Sequence, residues 1–234
     1  MYRIVLFLLL LAVPVYGANP SWVEHALRLS GESEEVATRA IRRLRATPKL
    51  HQELVKGLQK EAFFYLALDV IATLRIRRFR QYLAEHYWDD ETGAVYLTLN
   101  RLVNTPEEWV KLANLYHLRL FSLPVPVASK LVMIDTLARL KAPLENRELV
   151  TLLESKNFEL RSGGLSYLRK MILEADRRDW VTLLQPLFTD VAYQIRAQAW
   201  CLASELSVED RAKLTFPKCE REPMEEVRAL CLKK

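Results

Sequence analysis

The chain has 234 residues, half of them hydrophobic and 27% charged, a balance typical of folded globular proteins that excludes an intrinsically disordered chain. Its six glycines are few, and the Asn-Gly and Asp-Gly pairs that close β-hairpins are absent, so the composition favours a helical fold. The net charge of +5 is uneven, because residues 39–80 hold eleven Lys and Arg against three acids, whereas the remainder is mildly acidic.

The first eighteen residues predict a secretory signal peptide. Arg3 supplies the positive charge, residues 4–13 form an unbroken apolar run, and Gly17 and Ala18 are small residues suited to cleavage. The run is far shorter than the roughly 20 residues that a membrane-spanning helix needs. We therefore expect a periplasmic or secreted protein, cleaved after Gly17 or Ala18, whose residues 19–234 form a single domain. An uncleaved anchor or a buried first helix is the alternative.

Downstream, apolar residues recur at helical spacing, and helix start and stop signals divide them into pairs. Ser30-Gly31 ends the first helix, Ser33 caps the second, and Thr47-Pro48 ends that pair. Thr105-Pro106 opens a later helix with an N-cap and a proline at the first helical position. The helices expected after the first pair cover residues 50–60, 62–75, 79–88, 92–103, 105–120, 127–140, 149–154, 159–173, 179–188, 193–206 and 224–232, the last preceded by a short helix starting at 207. We therefore predict about seven helical hairpins.

Three cysteines lie in the last third of the chain, where export would permit a disulfide. Cys219 with Cys231 and Cys201 with Cys231 are both plausible pairs, and buried free thiols are the alternative. The spacing of the three residues is not that of a zinc site or a Cys-x-x-Cys redox pair.

The sequence lacks the recurring patterns of catalytic and cofactor sites. No glycine-rich phosphate loop, His-Glu-x-x-His or Gly-x-Ser-x-Gly motif is present, and the four histidines are isolated from one another. The acidic run Asp89-Asp90-Glu91 lacks the alternating ligands and central glycine of a calcium loop, so we expect a solvated turn. We predict no metal, no cofactor and no enzymatic activity.

One motif recurs at a nearly fixed period. It reads Glu159-Leu160-Arg161, Gln194-Ile195-Arg196 and Glu226-Val227-Arg228, and in each copy two further residues are followed by a small residue and a large apolar one. The aliphatic residues are 35 and 32 positions apart, a period typical of stacked helical hairpins. A partial copy begins at Glu35-Val36, with Ala37 in the arginine position.

This motif resembles the second helix of a HEAT or HEAT-like repeat, with armadillo-type repeats as the near neighbour. The match is good at the three arginine-bearing copies, partial at Val36, and weak between Leu50 and Pro143. The resemblance implies an all-α fold, an α-solenoid wound as a right-handed superhelix, whose second helices line a concave surface. It also implies a binding scaffold, and we expect a monomer.

Two sets of side chains on these helices are assigned different roles. Arg161, Arg196 and Arg228 recur in register with the core, so we assign them to a structural ladder between repeats. A helical wheel places a second set away from the core, where it would form a basic groove on the concave face. The groove residues are Arg39, Arg42, Arg43, Arg75, Arg77, Arg78, Arg101, Tyr167 and Lys170.

Three functions fit these features. The leading hypothesis is an exported, non-catalytic scaffold that binds a protein or peptide along its concave face. The second is a binder of an anionic polymer, namely an acidic glycan, a lipid headgroup or a nucleic acid, through the arginine groove. The third is a HEAT-like DNA glycosylase. The export signal argues against this third reading, and no groove aspartate flanked by tryptophans can be placed.

Overall fold

The computed structural model describes residues 39, 41, 42, 44, 49–122, 124–172 and 179–232. The predicted signal peptide, the first helix, Ser33, the partial motif at 35–37 and the groove residue Arg43 lie outside the described residues. Within the described part, all regular secondary structure is helical and no strand occurs, so the predicted all-α fold is confirmed.

Twelve α-helices run through the described residues from 49 onward, together with two short 3₁₀ helices, at Gln185–Thr189 and Cys219–Arg221. The α-helices are α1 (Leu50–Leu58), α2 (Glu61–Leu74), α3 (Phe79–His86), α4 (Ala94–Leu102), α5 (Pro106–Ser122), α6 (Val127–Arg139), α7 (Asn146–Leu153), α8 (Phe158–Met171), α9 (Trp180–Leu184), α10 (Tyr193–Glu205), α11 (Val208–Ala212) and α12 (Glu225–Cys231). No helix among these is long and apolar enough to cross a membrane.

The described residues form two compact units. The first unit comprises the described residues from 39 to 90 together with 94–104, and it contains α1 to α4. The second unit comprises 91–93 and the described residues from 105 to 232, and it contains α5 to α12. The single domain expected over residues 19–234 stays a prediction.

The first unit is built around α2. This helix is apolar on most sides, and Ala67, Val70 and Ile71 are completely buried because α1 and α4 both pack against it. On α1, Leu50, Leu54 and Leu58 recur every four residues and are all buried, which is the stripe that an amphipathic helix places against a core. These contacts fix the start of α1 relative to the end of α2.

The second unit is centred on α8, which packs against α6, α7 and α10. Two glycines permit this approach. A Cβ atom on Gly164 would lie 3.0 Å from Leu153 Cδ2 and 3.3 Å from Leu152 Cβ, and one on Gly163 would lie 2.9 Å from Leu131 Cδ2. The small residue of the motif on α8, Gly164, is therefore explained by close packing of α8 on the helix beside it.

Candidate functional site

An open cleft of about 720 Å³ lies in the first unit, where the start of α1 meets the end of α2. Three of its eight lining residues are cations and none is an acid. The lining residues are Lys49, Leu50, His51, Gln52, Leu74, Arg75, Ile76 and Arg78. A cleft that concentrates positive charge in this way suits an anionic ligand.

Unusual backbone conformations flank this cleft on both sides. Arg75 ends α2 with a φ of 49°, in the left-handed region where glycine is usual. The N–H of Ile76 donates to the carbonyl of Ile71 at 3.0 Å, and that of Arg75 to Ala72 at 3.2 Å, which together form a Schellman motif. Lys49 precedes α1 with a φ of 63°. Both residues at the rim are thus cations in positions that glycine would occupy at lower conformational cost.

His51 lies among the lining residues. Its ring stacks on Phe79, with 4.6 Å between ring centroids and 25° between planes. Burial, and then the positive charge of Arg78, lower the pKa of His51 below its usual value, so the imidazole is neutral at pH 7. The positive charge in the cleft therefore comes from Lys49, Arg75 and Arg78.

The predicted groove residues of the first unit separate in the structure. Arg75 and Arg78 both line the cleft, whereas Arg77, although exposed in the same turn, does not. Arg101 lies 3.8 Å from Asp69, both side chains being more than half exposed. Arg39 and Arg42 are helical and exposed. Lys49, His51 and Gln52 were not predicted, because a residue at a helix start carries no periodic signal.

Of the two groove residues predicted in the second unit, Lys170 is on the surface. Its Nζ lies 2.6 Å from Asp135 Oδ1, and Arg139 Nε lies 3.0 Å from the other oxygen of the same carboxylate. Lys170 is therefore engaged in an exposed ion-pair cluster.

The prediction that Tyr167 faces a groove is wrong. Its side chain is 1% exposed, its hydroxyl donates to the carbonyl of Ala142 at 2.7 Å, and it accepts from the N–H of Leu144 at 2.8 Å. The helical wheel failed here because α6 and α7 cover α8 on two sides, so the face opposite one neighbour is occupied by another. Tyr167 is a buried polar anchor for the connection between those two helices.

The three arginines assigned to the ladder lie in the second unit, and two of them form buried ion pairs. Arg161 Nη2 donates to Asp190 Oδ1 at 2.9 Å, and its Nε lies 2.7 Å from Oδ2. Arg196 donates from Nε and Nη2 to the two oxygens of Glu222, at 2.9 and 2.6 Å. Both arginines are less than a tenth exposed. The Arg196–Glu222 pair has two hydrogen bonds in a bidentate arrangement, whereas Arg161 forms one hydrogen bond to Asp190 and its Nε is close to the second oxygen without a hydrogen bond.

Each arginine also binds the backbone six residues before it. Arg161 Nη1 donates to the carbonyl of Ser155 at 2.8 Å, and Arg196 Nη1 to that of Asp190 at 2.7 Å. Arg228 donates from Nε and Nη2 to the carbonyl of Glu222, at 3.0 and 2.7 Å. Asp190 therefore binds Arg161 through its carboxylate and Arg196 through its carbonyl. Glu222 likewise binds Arg196 through its carboxylate and Arg228 through its carbonyl.

The residues at these three pre-helix positions share a further contact. The side chains of Ser155, Asp190 and Glu222 each accept a hydrogen bond from the N–H two residues ahead, at 3.2, 2.8 and 3.1 Å. The three positions are 35 and 32 residues apart, the same spacing as the arginines. The sequence carried this signal, since extending the motif by six residues toward the N-terminus would have found both acids.

The disulfide alternatives are reduced to one pair. Cys219 is bonded to Cys231 across 12 residues, with 5.6 Å between their Cα atoms, and Cys201 is free. The bridge joins the 3₁₀ helix just before Glu222 to the end of α12, so it closes the segment that carries the last ladder acid.

No group of three or more His, Cys, Asp or Glu side chains in the described part of the chain is arranged to hold a metal ion. Comparisons of the chain with protein-family models, with curated proteins and with solved structures found no match.

Proposed function

We propose that this chain is a HEAT-like α-solenoid, a right-handed superhelix of about seven hairpins, that acts as an exported, non-catalytic scaffold for a protein or peptide. The observation that carries the proposal is the threefold arrangement around Arg161, Arg196 and Arg228. Export rests on the predicted signal peptide in the first eighteen residues.

The arrangement supports stacked repeats because it connects one hairpin to the next at a recurring position. Arg161 on α8 reaches Asp190, which precedes α10, and Arg196 on α10 reaches Glu222, which precedes α12. Proteins in which each repeat contacts its neighbours present extended surfaces, and such surfaces serve mainly for binding.

Exposed apolar residues in the same register support a protein or peptide as the partner. Phe158 and Tyr193 both precede a ladder arginine by three residues, and each is more than a third exposed. Val191, between the two helices that carry them, is 94% exposed. Aromatic side chains are enriched at the centres of protein interfaces, so a recurring exposed position of this kind suits partner contact.

The experiment is capture from an extracytoplasmic extract at moderate salt. The bait proteins are the mature chain, a Phe158→Ser/Tyr193→Ser variant and a control, Val208→Ser, which removes a 74% exposed valine elsewhere in the second unit. We expect a protein retained by the mature chain and by the control but lost with the double variant. Equal retention by all three baits, or no retained protein, would contradict the proposal.

A second candidate is the binding of an anionic polymer, and the basic cleft of the first unit favours it. Binding through Lys49, Arg75 and Arg78 would weaken steeply as salt rises, because each phosphate or sulfate contact releases a counterion. Affinity for a sulfated glycan, an anionic vesicle and an oligonucleotide, measured over a range of salt concentrations, tests this candidate. A polymer affinity independent of salt would rule it out.

A further inference from the structure

We propose that the cleft of the first unit is a site for a doubly charged tetrahedral oxyanion, a phosphate or sulfate group, held by Lys49, Arg75 and Arg78. This inference rests on the second of the two functions proposed above and names the chemical group that the cleft would take.

The three cations of the cleft lack nearby acidic partners. Among the described residues, Lys49 and Arg78 form no ion pair, and Arg75 donates only to a neutral amide, from Nη1 to Asn104 Oδ1 at 3.2 Å. The nearest acid in sequence, Glu53 on α1, is not among the lining residues. Three cations therefore line one open cleft that no carboxylate lines, and a bound anion would neutralise part of this positive charge.

Three other cations of the protein have acids nearby. Arg101 in the first unit has Asp69 nearby, and in the second unit Arg161 and Arg196 have Asp190 and Glu222. The cleft differs from these three sites, because three cations line it and no acid does. Three positive charges also match a dianion better than a single carboxylate.

The cleft also has a hydrogen-bonding surface. Leu50, His51 and Gln52, the first turn of the nine-residue helix α1, all line the cleft. The start of a helix carries partial positive charge and backbone N–H groups, which favour bound phosphate when cations surround them. The side-chain amide of Gln52 and the ammonium group of Lys49 can both donate hydrogen bonds to an anion.

The size of the cleft indicates how the group would arrive. One phosphate or sulfate fills only part of about 720 Å³, and the cleft is open to solvent. The cleft therefore accommodates a free ion, a lipid headgroup or a sulfated sugar by the same contacts. Comparing the binding of inorganic phosphate with that of an anionic vesicle and a sulfated glycan distinguishes these sources.

His51 provides a local probe of binding. The charge of Arg78 contributes to the lowered pKa of this histidine, so a dianion placed between them reverses that contribution. We expect phosphate and sulfate, but not chloride at the same ionic strength, to raise the pKa of His51 in the full chain, as followed by NMR titration of the imidazole.

Affinity for inorganic phosphate is then compared among variants. Arg78→Gln, and separately Lys49→Gln, are expected to weaken binding about tenfold or more, because hydrogen bonds to charged groups carry larger energies than neutral ones. Lys56→Gln, which removes the same charge from the exposed far end of α1, is the control and is expected to change affinity less than about twofold, as long-range charge is screened. Circular dichroism checks that each variant is folded.

The outcomes are distinguishable. No rise in the pKa of His51 with either anion, or an equal loss of affinity with Lys56→Gln, overturns the site. Phosphate binding in the cleft without binding of any polymer retains the site and rejects the anionic-polymer function. Salt-sensitive binding of a glycan, a phosphatidic acid vesicle or an oligonucleotide that is indifferent to Arg78→Gln retains that function and rejects the site.

Discussion

The two units use the same kind of side chain in opposite ways. In the second unit, Arg161 and Arg196 are buried and each faces a carboxylate. In the first unit, Arg75 and Arg78 are exposed and face a cleft that no carboxylate lines. A guanidinium paired inside the protein contributes to folding, whereas a guanidinium left without a counter-charge at an open cleft is available to a ligand. We therefore expect substitutions in the two sets to affect different properties, stability in the second unit and anion affinity in the first.

The largest expected effect is on the ladder. Arg196→Met leaves the carboxylate of Glu222 without its buried partner, and removal of one member of a buried pair costs about 3 kcal/mol. Urea unfolding at pH 7 measures this loss. Arg169→Met, which breaks the exposed pair with Glu205, is the control and should cost less than about 1 kcal/mol. Equal effects of the two substitutions would contradict a structural role for the ladder.

The next effect concerns the disulfide. Replacing Cys219 and Cys231 by serine removes a bridge across 12 residues, and loops of this size are worth roughly 2–3 kcal/mol. We expect a lower Tm, and the same decrease on adding reductant to the native protein. Cys201→Ser should leave the Tm and its response to reductant unchanged, since this thiol is free. If reductant does not change the Tm of the native protein, the Cys219–Cys231 disulfide is absent or does not stabilise the fold.

Tyr167→Phe is expected to cost about 1–2 kcal/mol. The substitution keeps the ring but leaves the carbonyl of Ala142 and the N–H of Leu144 without their hydroxyl partner, and unsatisfied buried groups are costly. Tyr193→Phe, at an exposed tyrosine of the same unit, is the control, with an expected change near zero. Equilibrium unfolding of both variants distinguishes a buried anchor from a surface residue.

Much of the helical fold follows from local sequence signals. The helix expected at Thr105-Pro106 begins at Pro106, and the hydroxyl oxygen of Thr105 accepts from the N–H of Glu108 at 3.3 Å. The single helix expected over 179–188 is instead split into α9 and a 3₁₀ helix that begins beside Pro186, because proline lacks the N–H that a continuing α-helix needs. Local rules locate such elements to within a few residues.

The candidate site depended on contacts that local rules do not contain. Arg75 and Arg78 were predicted from their charge, but Lys49 joins them only because α1 packs on α2 and brings its first turn to the end of that helix. The prediction for Tyr167 is wrong because a helical wheel describes α8 alone and not α6 and α7, which cover it. The ladder acids Asp190 and Glu222 precede their helices, so the helical periodicity of the sequence does not include them.

Acid should weaken the ladder in a predictable direction. The hydrogen bonds from Arg196, aided by the N–H of Met224, lower the pKa of Glu222 despite its burial. A carboxyl group whose pKa is lower in the folded state contributes stability that is complete above the unfolded pKa of about 4.3 and is lost as pH falls through the folded value. Glu222→Gln should therefore be less stable than the native protein at pH 7 and approach it below pH ~4. A gap independent of pH would contradict this assignment.

The smallest expected effect on stability is a gain, and it separates folding from ligand binding in the first unit. Arg75→Gly relieves a left-handed φ of 49°, which should stabilise the protein by up to about 1 kcal/mol, while it removes one cation from the cleft. Lys141→Gly is the matched control, because Lys141 ends α6 in the same Schellman geometry with a φ of 55° and lies in the second unit. Both variants should unfold at slightly higher urea, but only Arg75→Gly should lose phosphate affinity. If both variants keep the native phosphate affinity, Arg75 only ends α2 and does not bind the anion. The contrast between paired and ligand-binding arginines would then exclude Arg75.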